Sequence, residues 1–174
     1  MNNVFIDPTT VILFDDITDT SIRGALESLI ELEQIGHKTA NLIINTSGGL
    51  VDATTTLLDY LDSTSLTVTA IGSGAVMSAG FNIFCCCPIR KAFKHTMFMS
   101  HVVSASAYGK VNDLAVSAVT TQKVAEDVTF RVAKKLKIPL AKCKKQFYNL
   151  TDTYFTTQEL HALGVVQEIL GDKK

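Results

Sequence analysis

The sequence is poor in charged residues and has almost no net charge. Asp, Glu, Lys and Arg make up 19% of the 174 residues, and the formal net charge is -1. This low charged fraction, beside 47% hydrophobic residues, favours a globular protein that buries surface against other chains. The charge balance does not point to a nucleic-acid partner. The densest basic segment, residues 134–145, is interpreted as a solvated helix end rather than a phosphate-binding patch.

Long apolar runs and a leader pattern are also missing. The longest apolar stretch, residues 79–87, is interrupted by Asn82. It is far shorter than the roughly 20 residues that a membrane-spanning helix needs. Residues 1–8 lack the basic start and apolar centre of a signal peptide. We therefore expect no membrane partner.

The four cysteines have no metal-binding or disulfide pattern. Cys85, Cys86 and Cys87 are consecutive, Cys143 stands alone, and no C-x-x-C pair occurs. They are interpreted as small reduced hydrophobic residues, which indicates a cytoplasmic protein. A catalytic cysteine is the alternative interpretation.

The segments that are present alternate between strand and helix patterns. An apolar segment without β alternation, residues 75–85, follows the third strand. This order predicts a single α/β domain over residues 1–174 with a largely parallel sheet. The predicted strands are residues 10–14, 41–44, 66–71, 96–101 and 165–170, and the predicted helices are residues 22–36, 51–61, 110–136 and 157–163.

The helix predicted for residues 110–136 is too long for a small domain to cover. Apolar positions follow one face along most of it, and Pro139 ends it. We expect this helix to project from the domain and to pack against another subunit, with Val128 on the contact face.

Two glycine-rich turns follow predicted strands, where parallel sheets bind ligands. In the first, Gly48-Gly49 allows close backbone approach, although an ordinary strand-to-helix turn explains it as well. In the second, residues 74–80, Ser78 begins a helix and the N–H of Ala79 lies beside it. The G-x-S-x-G spelling of a nucleophile elbow is absent, so Ser78 alone also fits a packing or capping residue.

His101 and Asp152 are the remaining candidates. His101 ends an apolar strand, and Asp152 lies in a loop before the last helix. A structural histidine and a turn aspartate explain each of them singly.

Taken together, these segments resemble the proteolytic subunits of the Clp protease, ClpP. Asn45-Thr-Ser-Gly-Gly49 stands where the family has Asn-Ser-Pro-Gly-Gly, and residues 74–80 fit Gly-x-Ala-Ala-Ser-Met-Gly without a gap. Met97-Phe-Met-Ser-His101 is similar to the strand that ends in the family's histidine, and residues 152–167 align gaplessly with its aspartate segment. The resemblance extends from about residue 10 to residue 170.

The resemblance implies a ClpP/crotonase-like α/β fold: a head of repeated ββα and βα units with residues 110–136 as a projecting handle helix. It implies a serine endopeptidase with Ser78 as nucleophile, His101 as base and Asp152 as orienting acid. It implies no metal and no cofactor. The backbone N–H groups of Gly49 and Ala79 would form the oxyanion hole, and an extended polypeptide substrate would lie between two walls, Leu50 and Val51 on one side and Val102 and Val103 on the other.

The resemblance also implies a homo-oligomer, a heptameric ring or stacked rings enclosing the peptide sites. The sequence departs from the family at Ser47, where a proline is usual, and at Ala79, where a methionine is usual. Leu150-Thr151 replaces an acidic-Arg pair that links rings, and little sequence precedes the first strand. These departures weigh against stacked rings and a Clp-type ATPase partner, and they fit a divergent, phage-borne relative.

Three alternatives stay open at this point. The first is a peptidase that works without an ATPase on a scaffold or capsid protein. The second is a catalytically silent ring subunit. The third is a crotonase-type acyl-CoA enzyme, which would not need serine, histidine and aspartate together.

Overall fold

The computed structural model describes residue 5, residues 7–104 and residues 108–171. Strands and helices alternate along the first half of the chain, and helices dominate the second half. The prediction of one domain over residues 1–174 includes residues outside these ranges and stays a prediction. The elements are β1 (Thr10–Phe14), α1 (Asp19–Gln34), β2 (Thr39–Thr46), α2 (Val51–Ser63), β3 (Thr67–Met77), α3 (Ala79–Cys86), β4 (Ile89–Phe93), β5 (Met97–Ser100), α4 (Val111–Leu136), α5 (Leu140–Phe147), β6 (Thr153–Thr156), α6 (Thr157–Ala162) and β7 (Glu168–Leu170).

The strands form one mixed sheet in which parallel pairing predominates, as predicted. Its main path runs β1-β2-β3-β4-β7, and all of these neighbours are parallel. β5 pairs parallel with the end of β3, and β6 pairs antiparallel with β5. The α/β fold expected from the resemblance is therefore confirmed.

The third strand is longer than the sequence pattern predicted. We expected it to end at Gly72–Gly74, but β3 continues to Met77. Its first part pairs with β4 at residues 69–72, and its last part pairs with β5 at residues 75–77. Partners that are distant in sequence supply these hydrogen bonds, so the local glycines did not reveal them.

Three other elements were not predicted from the sequence. β4 contains Arg90, whose guanidinium is buried and donates to the carbonyl oxygens of Val165 and Cys87. β6 is short and partly exposed, and α5 follows Pro139, which was interpreted only as a helix breaker. In each case tertiary contacts outweigh a weak local pattern.

Most of the hydrophobic core lies where the helices pack against the sheet. Leu42, Ile44, Leu57, Phe81 and Phe84 are fully buried there. A smaller cluster is separate from this core and consists of Ile43, Ile71 and Leu170 with Phe93 packed against them. Within the described residues, no helix combines the length and the apolar character needed to span a membrane.

All four cysteines are buried and free. Burial raises the pKa of the Cys86 thiol to about 12 and that of Cys143 to about 11, and it also raises the pKa values of Cys85 and Cys87. Because a thiol is a good nucleophile only when ionised and accessible, the structure disfavours a catalytic cysteine.

The α4 helix projects from the rest of the molecule over its N-terminal part. It has 26 residues and is therefore about 39 Å long. No residue from 111 to 127 is buried, whereas Val128 and Val132 are. The expectation that Val128 faces another subunit was wrong, since its side chain is only 1% exposed within its own chain.

Ion pairs between α2 and α4 fix the point from which α4 projects. Arg131 pairs with Asp59 and Lys135 with Asp62 of α2, both at 2.6 Å, while Asp127 of α4 itself holds Arg131 at 2.7 Å. These groups are partly exposed, so each pair is weakly stabilising, but together they orient the base of α4.

Glu33 connects the end of α1 to the turn between α2 and β3. Its carboxylate accepts hydrogen bonds from the Tyr60 and Thr64 hydroxyls and from both the N–H and the hydroxyl of Ser65. These bonds favour the charged form and lower the pKa of Glu33 from 4.5 to about 2, with Ser65 as the largest contributor.

We predict that Glu33→Gln lowers the melting temperature at pH 7 and removes part of the acid sensitivity of the fold. Because the folded-state pKa is depressed, the stabilisation is complete above about pH 4.5 and is lost as the pH falls towards 2. Thermal unfolding at pH 7, 4.5 and 3 measures this. Glu31→Gln, whose side chain makes no hydrogen bond within the described residues, is the control. Equal melting temperatures for the two variants at pH 7 would contradict the role of Glu33.

Candidate active site

Ser78 lies at the junction between β3 and α3 in an unusual backbone conformation. It is the N-cap of α3, with φ 53° and ψ -116°. A residue other than glycine adopts such a positive φ at a cost of roughly 1–3 kcal/mol, and strain of this kind is concentrated at functional sites. The Ser78 N–H donates to the Met99 carbonyl at 2.8 Å, which ties the junction to β5.

The first glycine turn packs directly against Ser78. A Cβ on Gly48 would lie 2.7 Å from the Ser78 Cβ, so only glycine permits this approach. A Cβ on Gly49 would lie 2.2 Å from the Ile17 carbonyl oxygen. The buried Thr46 hydroxyl accepts a hydrogen bond from the Gly48 N–H and holds the turn. Close packing, rather than turn geometry alone, therefore explains the two glycines.

The two backbone donors named from the sequence both border the cavity at Ser78. Gly49 and Ala79 line this cavity, which has a volume of about 50 Å³. In the described part of the chain, no acceptor pairs with the N–H of Gly49 or of Ala79. Free N–H groups beside a hydroxyl can stabilise a developing negative charge.

His101 contacts Ser78 directly. It follows β5, whose parallel pairing with β3 places Met99 opposite Met77 and so brings the two strand ends together. The His101 Nε2 lies 2.6 Å from the Ser78 Oγ, within hydrogen-bond distance. The imidazole is mostly shielded, with 20% of its side chain exposed. This pair has the geometry of a hydroxyl beside a general base.

Asp152 lies on the other side of the same imidazole. It precedes β6, whose antiparallel pairing with β5 ends with Ser100 opposite Thr153. Asp152, just before β6, therefore lies near His101, just after β5. The Asp152 Oδ1 is 3.8 Å from the His101 Nδ1, which is longer than a hydrogen bond, and 52% of the aspartate side chain is exposed. The structure thus brings three of the predicted residues into one row, with one contact loose.

The four residues predicted to form substrate walls do not all lie at the cavity. Val51 and Val103 line it, together with Ser78 and Ser104. Leu50 lines a larger adjoining cavity that shares Val51 and Val103. Val102 lines neither of these cavities and is 36% exposed.

Asn82 is a residue of the cavity wall that the sequence reasoning missed. It lies one turn after Ser78 in α3, and its Oδ1 accepts a hydrogen bond of 2.7 Å from the Tyr148 hydroxyl. Burial raises the pKa of Tyr148 well above its usual value, so the phenol remains a donor. The signal was visible, because Asn82 is the polar residue that interrupts the apolar run of residues 79–87.

Comparison with known proteins identifies the family. The family model for Clp protease matches residues 1–173. The chain is 24% identical over 163 residues to ATP-dependent Clp protease proteolytic subunit 3 of Rhizobium meliloti, a match covering 92% of this chain and 83% of the relative. It is 23% identical to the subunits of the same name from Rhizobium etli and Rhizobium johnstonii, with the same coverage. The chain therefore belongs to the Clp protease family.

Proposed function

We propose that this protein is a serine endopeptidase in which Ser78 attacks the peptide carbonyl. The observation that carries the proposal is the 2.6 Å contact between the Ser78 Oγ and the His101 Nε2 at a strained strand-to-helix junction. Membership of the Clp protease family supports a peptidase, and this contact supports the serine type.

His101 is the general base in this mechanism. Its Nε2 takes the proton of Ser78 as the Oγ bonds to the carbonyl carbon, and later gives that proton to the leaving amine. The carbonyl oxygen, now negative, accepts hydrogen bonds from the N–H groups of Gly49 and Ala79. Loss of one such donor costs about 100- to 1,000-fold in rate. Water then attacks the acyl-serine with His101 again as base.

Asp152 orients the imidazole and stabilises its charged form. The separation of 3.8 Å from the His101 Nδ1 is too long for this role, so activity requires the aspartate to approach by about 1 Å to reach hydrogen-bond distance. Its 52% exposed side chain has room to make this movement.

The substrate is an extended polypeptide. Val51, in the segment after Gly49, and Val103, in the segment after His101, line the same cavity as Ser78, and the substrate strand lies between these two segments. A substrate strand in this position is bound by hydrogen bonds to its main chain, which depend little on its sequence.

The chain assembles into a ring of subunits, and the peptide sites face the chamber that the ring encloses. The exposed apolar residues of α4 support an interface between subunits, since Val111, Val116 and Val119 are more than half exposed. Leu150, which replaces part of an ion pair of the family, is 94% exposed and offers no charge for linking rings. A single heptameric ring is the assembly that these features favour.

A catalytically silent ring subunit is the second candidate function. The observation that favours it is the loose contact between Asp152 and His101. The two candidates differ in whether Ser78 reacts with an active-site probe.

We predict that Ser78→Ala abolishes labelling by a fluorophosphonate probe and lowers hydrolysis of a short fluorogenic peptide about 1,000-fold or more. The loss follows from removal of the nucleophile, while the free energy of unfolding should change by no more than about 1 kcal/mol. Ser47→Ala, in the neighbouring glycine turn, is the matched control and should keep both activities. Full turnover by Ser78→Ala would refute the assignment, and an unlabelled wild-type protein would favour the silent subunit.

We predict that His101 and Asp152 act as a unit with Ser78. His101→Ala and the Ser78/His101 double variant should be equally inactive, because neither residue works without the other. Asp152→Asn should lower kcat about 100-fold or more, since the imidazole loses its orienting charge. Steady-state kinetics on the same peptide measures these effects. Glu168→Gln, a carboxylate paired with Lys91, serves as control; an equal loss in Asp152→Asn and Glu168→Gln would exclude Asp152 from the mechanism.

We predict that Val116→Glu or Val119→Glu shifts the protein towards smaller oligomers and lowers peptidase activity. Both side chains are exposed on the projecting part of α4, so a charge there would have to be buried at the interface. Light scattering after size-exclusion chromatography reports the change. Asn112→Glu, at an exposed polar position of the same helix, is the control. An active wild-type monomer at micromolar concentration would disprove the ring.

A further inference from the structure

A second cavity adjoins the one at Ser78. It has a volume of about 350 Å³, and Val51, Val103 and Ser104 belong to the walls of both cavities. A cavity of this size holds one long side chain. Because the two cavities share these three wall residues, a residue of the substrate close to the scissile bond can place its side chain there.

Part of the wall of this cavity is apolar and suits the aliphatic part of a long side chain. Leu50 and Val51 come from the start of α2, Val103 follows β5, and Val124 comes from α4. The hydroxyls of Thr120 and Thr121 add hydrogen-bonding groups on the α4 side. Among the described residues, no group of three or more His, Cys, Asp or Glu side chains is placed to hold a metal ion.

Two carboxylates complete the cavity wall. Asp19 is in the first turn of α1 and Asp52 is in the first turn of α2, where the helix dipoles favour negative charge. In the described ranges of the chain, neither carboxylate forms an ion pair or accepts a hydrogen bond, and no Lys, Arg or His lines the cavity. No cationic side chain of the described residues therefore lies within ion-pair distance of either carboxylate.

We infer that this cavity, called here the acidic pocket, selects a lysine or arginine side chain of the substrate close to the scissile bond. Such a side chain has an aliphatic stem that fits Leu50, Val51, Val103 and Val124, and a cationic head that the two aspartates attract. Main-chain hydrogen bonds then bind the peptide in general, and the acidic pocket adds a preference at one position. This inference rests on the proposed peptidase function.

Quenched fluorescent peptides that carry one lysine at successive positions, P3 to P3′, test the inference on the full-length oligomer. Each is matched by a peptide with norleucine at the same position, which keeps the stem and lacks the charge. We expect kcat/KM for lysine to exceed that for norleucine by about three- to tenfold at one position. The ratio should fall towards one as the ionic strength rises, because the attraction is electrostatic.

Variants assign the preference to the two aspartates. Asp19→Asn/Asp52→Asn keeps the side-chain shapes, and it should bring the lysine-to-norleucine ratio close to one. The ratio within one variant cancels any loss of folding or assembly that affects both peptides. Asp52→Lys should invert the preference, so that glutamate exceeds glutamine at that position. Asp113→Asn, an acid in the first turn of α4 outside the pocket, should leave the ratio as in the wild type.

The outcomes separate this inference from the proposed function. Ratios near one at every position, or a preference for lysine that survives Asp19→Asn/Asp52→Asn, would overturn the acidic pocket while Ser78-dependent hydrolysis continued. Failure to cleave any peptide, together with an unlabelled Ser78, would overturn the peptidase and the pocket with it. A lysine preference that depends on the two aspartates would support both.

Discussion

The arrangement of the site depends on one strand, β3, and on the backbone pairing at its end. This strand pairs with β2 along its length, with β4 in its first part and with β5 in its last part. Ser78 follows directly and donates its N–H to the Met99 carbonyl of β5. This pairing holds the Ser78 backbone at a positive φ and leaves it little freedom to move. The 2.6 Å contact with His101 follows from this constraint, because β5 carries the histidine at its own end.

The packing of the two glycine turns complements this constraint. Gly48 approaches Ser78 more closely than a residue with a Cβ could, and the next residue, Gly49, lines the cavity at Ser78. Asp152 is less constrained, since it precedes a short, partly exposed strand whose one pairing partner among the described strands is β5. This difference in support explains why the serine and the histidine are in contact while the aspartate lies 3.8 Å away. The acidic pocket has its own origin in the N-termini of α1 and α2, which present Asp19 and Asp52 to a cavity with apolar walls.

The sequence predicted the elements with strong periodicity and missed those that depend on distant partners. β1, β2, α2 and the long helix were recognised from their apolar spacing. The continuation of β3 through Gly72 and Gly74 was missed, because its hydrogen bonds come from β4 and β5. β4 was missed because Arg90 looks like a surface residue until its guanidinium is seen to donate to buried carbonyls. Val128 was assigned to the wrong side of α4, since apolar spacing alone cannot distinguish a face towards the chain's own core from a face towards another subunit.

The sequence by itself determined the class of the fold, because strand and helix periods are local properties of the chain. It indicated the candidate residues Gly49, Ser78, His101 and Asp152 only through the resemblance of their ordered motifs to the Clp protease family. Only the tertiary structure decided which atoms meet. It placed His101 against Ser78, left Asp152 beyond hydrogen-bond distance, excluded Val102 from the cavity walls and added Asn82 to them. It also brought Asp19 and Asp52 to the walls of one cavity across 33 residues of sequence. These distances depend on strand register and helix packing, which are set by contacts between segments far apart in the chain and leave no local pattern to read.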